Sequence, residues 1–195
     1  MFSFQSMNEY RQLIMHPSDC LRNYSSAGFL VTTPGMKEVL LGTHHEAPGL
    51  WGNFAGGRLA EECDPRITAA RELQEEIGLG VDPETNWSQP LIVIVNYRMA
   101  NRRPSIGIIY KLEVEKSIGI DIPPTSEIKN VEWFSCTMPL MDEANPAERL
   151  WGGVYTAEAL RAWEKRQFGG VVQVNSWYGG LTLYDRLKIR EAEHR

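Results

Sequence analysis

Short apolar runs separated by turn residues characterise the chain between residues 27 and 114. Residues 27–32 and 38–42 flank a Pro34-Gly35 turn and together predict a β-hairpin. Residues 91–99 and 106–114 predict a second strand pair, joined by a tip at residues 101–104. The pattern therefore predicts a sheet that contains two pairs of neighbouring strands.

Between these strand pairs, the apolar spacing changes to that of a helix. Asp64 followed by Pro65 is a helix-start signal, because the Asp side chain accepts from free backbone amides and Pro has no amide to leave unpaired. Gly78 can adopt the left-handed conformation that ends a helix. We therefore predict a helix over residues 65–77, with an apolar stripe suited to burial made of Ala69, Ala70, Leu73 and Ile77.

The other face of this predicted helix is acidic. Glu72, Glu75 and Glu76 are spaced so that their carboxylates share one face and repel one another. A cation would reverse that repulsion, and clustered carboxylate oxygens favour Mg²⁺ or Mn²⁺. The neighbouring Arg71 could orient a carboxylate through its planar fork of donors. On the helix alone, a solvated acidic face with one salt bridge is the simpler interpretation.

Two glycines ahead of the helix change this interpretation. Gly56 and Gly57 permit a tight turn or a close approach of the backbone to a ligand such as a phosphate chain. Together with RELQEEIGL at residues 71–79, they resemble the Nudix hydrolase signature. That signature runs Gly, five residues, Glu, seven residues, then Arg-Glu-apolar-x-Glu-Glu-x-Gly-apolar, and its second half is matched in full.

The first half of the signature is matched less well. Counting from Gly57 places Cys63 where the signature has its first Glu. Glu62 fits that position only when the count starts one residue earlier, and Arg71 then comes one residue late. In the family this Glu supports the architecture of the site, so we expect Glu62 or Glu61 to replace it.

The resemblance implies a fold and a set of roles. The fold class would be α/β, a Nudix-type α/β/α sandwich with a mixed sheet between helices. The cofactor would be Mg²⁺, with Mn²⁺ as an alternative, held by Glu72, Glu75 and Glu76. Arg71 would position the cluster, and Glu76 belongs to the catalytic set as well as to the metal ligands. Water would attack a phosphorus of a pyrophosphate.

Further candidate site residues lie outside the helix. Glu127 resembles the family's loop glutamate that serves as base or extra ligand, with Glu132 as the second choice. Arg58 follows the two glycines, and it could either reach a phosphate or be solvated. Tyr97 lies where some Nudix subgroups place a specificity tyrosine. The backbone of residues 56–57 would contribute contacts to metal or phosphate.

A pair of histidines and the two ends of the chain carry weaker signals. His44 and His45 lie in a predicted loop without a third ligand at fixed spacing, so we assign them no role. Residues 1–24 are predicted as an N-terminal extension with a helix at 8–15. Residues 150–195 are predicted as a C-terminal helical extension, with Thr156 as the N-cap of a helix to about Gln167 and another at 181–193.

Composition narrows the class of protein. The 195 residues and 43% hydrophobic content suit one globular Nudix domain over residues 1–195. No apolar run approaches the roughly 20 residues needed to cross a membrane, and no secretion signal precedes the domain, so we expect a cytoplasmic protein. The three cysteines lack metal-binding spacing and are expected to be reduced. A net charge of -5 argues against a large nucleic-acid interface.

The expected substrate follows from the resemblance. We expect hydrolysis of a nucleoside diphosphate linked to another moiety, with a nucleotide sugar or ADP-ribose favoured because the chain extends well beyond the signature on both sides. Nucleoside triphosphates and dinucleoside polyphosphates are alternatives. A non-catalytic nucleotide sensor is the alternative from another class, but the presence of Arg71 with all three glutamates favours an enzyme. The aromatic C-terminal third leaves a homodimer open.

Overall fold

The computed structural model describes residues 17–85, 89–98, 104–135, 150–151 and 154–176. The helices of this part of the chain are α1 (Pro17–Arg22), α2 (Pro65–Ile77) and α3 (Val154–Glu164), with a 3-10 turn at Pro34–Met36. The strands are β1 (Ser26–Thr32), β2 (Glu38–His44), β3 (Ala47–Gly52), β4 (Phe54–Gly57), β5 (Ile92–Arg98), β6 (Pro104–Glu113), β7 (Ile128–Ser135), β8 (Leu150–Trp151) and β9 (Gly170–Ser176).

These strands form one mixed sheet. Its order is β8-β3-β2-β1-β6-β5-β9, with β4 beside β1 and β7 beside β2. The pairs β1–β6, β3–β8 and β5–β9 are parallel, and the other pairs are antiparallel. Helix α2 packs on one face of the sheet and α3 on the other. The predicted α/β/α sandwich with a mixed sheet is therefore confirmed.

Each face of the sheet has its own apolar core. On the α2 face, Leu73 and Ile77 are fully buried against a cluster that includes Phe29. On the α3 face, Leu160 and Trp163 are buried against the opposite sides of the same strands. Full burial of one such side chain contributes about 1.5–3 kcal/mol, so both helices are held mainly by these contacts.

One edge of the central strand β1 is divided between two neighbours, while its other edge pairs with β6. Residues 26–29 pair with β4, and residues 31–32 pair with β2 on the same edge. Gly28 makes the first pairing feasible, because a Cβ there would lie 2.1 Å from the main-chain oxygen of Phe54. The division brings the end of β4 alongside α2, where the acidic residues lie.

Helix α2 has the predicted bounds and the predicted caps. The Asp64 side chain accepts from the main-chain N–H of Arg66 over 2.8 Å. Gly78 has φ 69° and donates to the main-chain oxygen of Gln74 over 3.1 Å. Both predicted strand pairs are also confirmed, as β1 with β2 and β5 with β6.

Other elements differ from the prediction. No strand was predicted between residues 47 and 57, but this segment contains β3, which pairs with β2 and β8, and β4, which pairs with β1. His44 ends strand β2 instead of lying in a loop. Helix α1 begins at Pro17, which is suited to the first helical turn because it needs no amide partner there.

The C-terminal region also requires correction. Helix α3 begins at Val154, so Thr156 is not its N-cap but lies in its first turn and donates to the Asn53 side chain over 2.8 Å. The segment predicted as helical also contributes strands β8 and β9 to the sheet. The predicted helices at 8–15 and 181–193 lie outside the described residues, as do residues 101–103 of the predicted tip, whereas Pro104 of that tip begins β6. None of the described helices is long and apolar enough to span a membrane.

Candidate active site

A cleft of about 530 Å³ opens between the acidic face of α2, the end of β4 and the loop before β7. It brings together four predicted site carboxylates and both predicted glycines, from three separate segments of the chain. The described residues that line it are His44, Ala55, Gly56, Gly57, Glu72, Glu75, Glu76, Thr125, Ser126 and Glu127.

Arg71 lies beside the cleft and is paired with Glu62. Its Nε donates to Glu62 over 2.8 Å, and its Nη2 donates to the main-chain oxygen of Gly57 over 2.7 Å. Glu62 is only 5% exposed and also accepts from the Thr68 hydroxyl over 2.6 Å. These bonds lower the pKa of Glu62 to about 2, with the Arg71 hydrogen bond as the largest cause. Glu62 therefore occupies the supporting position expected of the signature's first Glu, whereas Glu61 is exposed.

The same guanidinium holds two of the cleft carboxylates. Arg71 Nη1 lies 2.7 Å from a Glu72 oxygen and 2.8 Å from a Glu75 oxygen. Nη2 lies a further 3.4 Å from Glu62, so partners are present for all five guanidinium N–H groups. Burial raises the pKa of Glu72 more than the Arg71 bond lowers it. Arg71 is thus the positively charged centre around which the acidic residues collect.

Glu76 is the most buried carboxylate of the cleft. It is 8% exposed, and its Oε2 atom is buried without a hydrogen-bond partner. Burial, followed by repulsion from Glu72 and Glu127, raises the pKa of Glu76 well above its ordinary value. A desolvated carboxylate oxygen that lacks a donor is suited to a cation, because no protein group competes for it.

The two glycines lie at the end of a strand and do not form a turn. Gly56 is in close contact with α2, since a Cβ there would lie 2.2–2.3 Å from the carboxylate atoms of Glu72. A Cβ on Gly57 would meet nothing within 4 Å. Gly56 thus makes room for the Glu72 carboxylate, while the predicted approach of this backbone to a phosphate stays a prediction.

Glu127 faces the acidic helix from the opposite wall of the cleft. Its side chain is 84% exposed, and Oε2 lies 3.7 Å from His44 Nδ1. Its main-chain oxygen accepts from the N–H of His45 over 2.9 Å. Glu132 lies within β7 opposite Leu41 and is not part of the cleft lining. Of the two loop candidates, the structure brings only Glu127 to the site.

Arg58 is not among the described residues that line the cleft. Arg58 donates to the main-chain oxygens of Glu62 over 2.6 Å and Arg22 over 3.3 Å, and its guanidinium lies 4.9 Å from the centre of the Tyr24 ring. These contacts tie the loop before α2 to α1. Tyr97 pairs with Pro104 in β6, and its side chain lies outside the described residues.

The donor set of the cleft suits a hard divalent cation. Among the described residues, no three His, Cys, Asp or Glu side chains already converge as a metal cage, because Arg71 draws Glu72 and Glu75 towards itself. A complete cage is not required, since Mg²⁺ commonly keeps several waters and uses one or two carboxylates with substrate phosphates. The partnerless oxygen of Glu76 and the space at Gly56 therefore fit such an ion.

Four of the lining residues were not anticipated as part of the site: His44, Ala55, Thr125 and Ser126. His44 enters the cleft because β2 pairs with β7 as far as Ile128, the residue after Glu127. Ser126 is held in a buried position by the end of α2. The position of these residues in the cleft depends on contacts between distant segments, and no local sequence signal indicates it.

Comparison with known proteins identifies the family. The NUDIX domain model matches residues 23–151. The MutT NUDIX hydrolase of Burkholderia pseudomallei has a TM-score of 0.50 and 20% identity, covering 70% of this chain and 95% of that one. A NUDIX hydrolase of Nitrosomonas europaea has a TM-score of 0.51 and 16% identity, covering 79% and 81%. A comparison with curated proteins finds no match. The chain therefore belongs to the Nudix hydrolase family.

Proposed function

We propose that this protein is a metal-dependent hydrolase that cleaves the pyrophosphate of a nucleoside diphosphate linked to another moiety, a nucleotide sugar or ADP-ribose. The observation that carries the proposal is the cleft in which Glu72, Glu75 and Glu76 face Glu127. No Lys or Arg is among its described lining residues. A pyrophosphate would therefore meet net negative charge there and would need cations to bind.

Mg²⁺ is the cofactor that we propose, with Mn²⁺ as an alternative. When bound, such an ion neutralises phosphate charge and polarises the phosphoryl oxygens for attack by water. Glu72, Glu75 and Glu76 would hold it, with the buried oxygen of Glu76 as the ligand that is already free of protein donors. Glu72 and Glu75 are paired with Arg71, so a bound ion would compete with Arg71 for these two carboxylates.

Glu127 is the proposed proton acceptor for the attacking water. Its 84% exposed carboxylate can reach a substrate that fills the cleft. A carboxylate serves as a base when it lies within hydrogen-bond reach of the proton in the bound complex. The carboxylates of α2 on the opposite wall would be occupied by the cation, so Glu127 is the carboxylate of the cleft that remains to accept the proton.

The cleft is large enough for a diphosphate and part of what is attached to it. Its volume of about 530 Å³ lies within the range of about 300–1,000 Å³ for small-molecule sites. Its described lining residues include no Phe, Tyr or Trp on which a base could stack, and His44 is the only described lining residue with an aromatic ring. Recognition of the nucleoside and the second moiety therefore involves other residues, and the test must vary both moieties.

The experiment is turnover of a substrate panel by purified protein. The panel contains nucleotide sugars, ADP-ribose, dinucleoside polyphosphates and nucleoside triphosphates, each with Mg²⁺, Mn²⁺ or chelator. We expect metal-dependent turnover of the first two classes and a loss of about 100-fold or more in kcat for Glu76→Gln. Glu61→Gln is the matched control, because it makes the same substitution at an exposed residue outside the cleft, and it should retain the wild-type kcat.

The other outcomes discriminate between the alternatives. Turnover confined to triphosphates or dinucleoside polyphosphates would replace the proposed substrate class. Nucleotide binding without turnover of any substrate, with either metal, would refute the enzyme and favour the sensor.

A further inference from the structure

The loop that carries Glu127 is attached to the end of α2 through a buried serine. Ser126 is 9% exposed, and its hydroxyl donates to the main-chain oxygen of Glu76 over 2.7 Å. The same hydroxyl accepts from the main-chain N–H of Ile128 over 2.9 Å. One side chain thus joins the helix of the acidic cluster to the first residue of β7.

Both bonds satisfy groups that the backbone leaves unpaired. The Glu76 carbonyl is one of the last four of α2, which have no partner within the helix. The Ile128 amide is bonded to the serine side chain where β7 begins. Removing the hydroxyl would leave two buried polar groups to find other partners, and the loop would have to move for this to happen.

Glu127 lies between these two bonds. Its side chain is 84% exposed, so packing does little to hold the carboxylate. Its position depends instead on the backbone, which the Ser126 hydroxyl fixes on one side and the His45 amide on the other. The Asp121 carbonyl also lies against Gly78, where a Cβ would approach it to 2.2 Å, so the loop contacts the end of the helix at a second point.

We propose that Ser126 is a positioning residue: its hydroxyl fastens the Glu127 loop to the end of α2 and thereby sets the distance between the Glu127 and Glu76 carboxylates. The inference rests on the proposed function, which assigns Glu127 to proton transfer. It adds a requirement that the helix and the loop behave as one unit.

The kinetic test is a double-mutant cycle between Ser126 and Glu127. We expect Ser126→Ala to lower kcat by about 10–100-fold with KM changed less than about twofold, because a small displacement of a reacting group has effects of this order. In a Glu127→Gln background, Ser126→Ala should lower kcat less than about twofold further, since residues that act as a unit are not additive. Full multiplication of the two losses would overturn the proposal.

A second measurement does not depend on turnover. Hydrogen exchange of the Ile128 and His45 amides should be at least about tenfold faster in Ser126→Ala, because both amides lose their fixed acceptors when the loop moves. Ser126→Cys introduces a thiol, which is a weaker donor of similar size, so the exchange rates of both amides in this variant should lie between those of Ser126→Ala and the wild type. Unchanged protection of the His45 amide would show that the hydroxyl does not position the loop.

Thr156→Val is the matched control. Thr156 is 5% exposed, and its hydroxyl also makes two bonds between elements, but on the opposite face of the sheet. Its loss should lower Tm without changing kcat or the exchange of the His45 amide. If the wild type turns over no substrate, the proposed function fails, and the exchange data still decide whether Ser126 holds the loop.

Discussion

Glu62 is expected to stabilise the fold through its charge. Its pKa falls from an ordinary 4.5 to about 2, mainly through the Arg71 hydrogen bond. At 1.36 kcal/mol per pKa unit, this corresponds to at most about 3.4 kcal/mol. Solvent screening around the partner Arg71, which is 22% exposed, reduces it to about 2 kcal/mol. Glu62→Gln removes the charge but keeps the size, so its free energy of unfolding near pH 7 should fall by about that amount.

The pH dependence has a definite sign. Because the folded pKa is lower than the unfolded one, the stabilisation is complete above about pH 4.5 and is lost as the pH falls towards about 2. The difference between wild type and Glu62→Gln should therefore be constant near neutral pH. It should narrow progressively below about pH 4.5.

Urea unfolding at a series of pH values measures this difference directly. Glu61→Gln is the control, since Glu61 is an exposed neighbour and its variant should follow the wild type within about 0.5 kcal/mol. Equal stability of Glu62→Gln and wild type near pH 7 would refute the reasoning. So would a difference between them that persists undiminished at about pH 2.5.

Three further perturbations test the cleft and its surroundings. Gly56→Ala should displace the Glu72 carboxylate and lower kcat at least about tenfold, with little change in Tm. Gly57→Ala is its control and should lower kcat far less, because the added Cβ meets open space. In the presence of chelator, Glu76→Gln should have a higher Tm than wild type, because the substitution removes a buried carboxylate with a raised pKa. Addition of Mg²⁺ should stabilise only the wild type, by about 2.7 kcal/mol when the Mg²⁺ concentration is 100 times the Kd for the ion. Arg58→Ala should lower Tm and leave KM unchanged, since its contacts are with α1 and the loop; a raised KM would place it in the substrate site instead.

Local signals predicted α2 and its acidic face completely. Asp64, Pro65 and Gly78 determine the helix ends within a few residues of sequence, and the spacing of the glutamates determines their shared face. Strands β3 and β4 lacked such signals, because their Pro- and Gly-containing sequences become strands only through pairing with β1 and β2. The opposite wall of the cleft could not be predicted locally for the same reason.

That opposite wall depends on contacts between distant segments. His44 meets Glu127 because β2 pairs with β7, and Ser126 meets α2 because the intervening loop folds back. Thr156 was misassigned for a related reason, since its hydroxyl is bonded to Asn53 across the domain and not to its own helix. Single residues of this kind have ordinary sequence surroundings, and only the fold shows their partners.

Glu62 reaches Arg71 although the chain between them is one residue longer than in the family signature. An extra residue inside α2 would rotate the acidic face by about 100°, away from the cleft. Because Gly57 and Arg71 keep the spacing of the signature, the difference lies in the loop ahead of Pro65, where the carboxylate comes one position earlier and still reaches Arg71. A pattern search with rigid gap lengths would reject such a chain, whereas one that accepts any loop carboxylate able to reach the helix arginine would keep it.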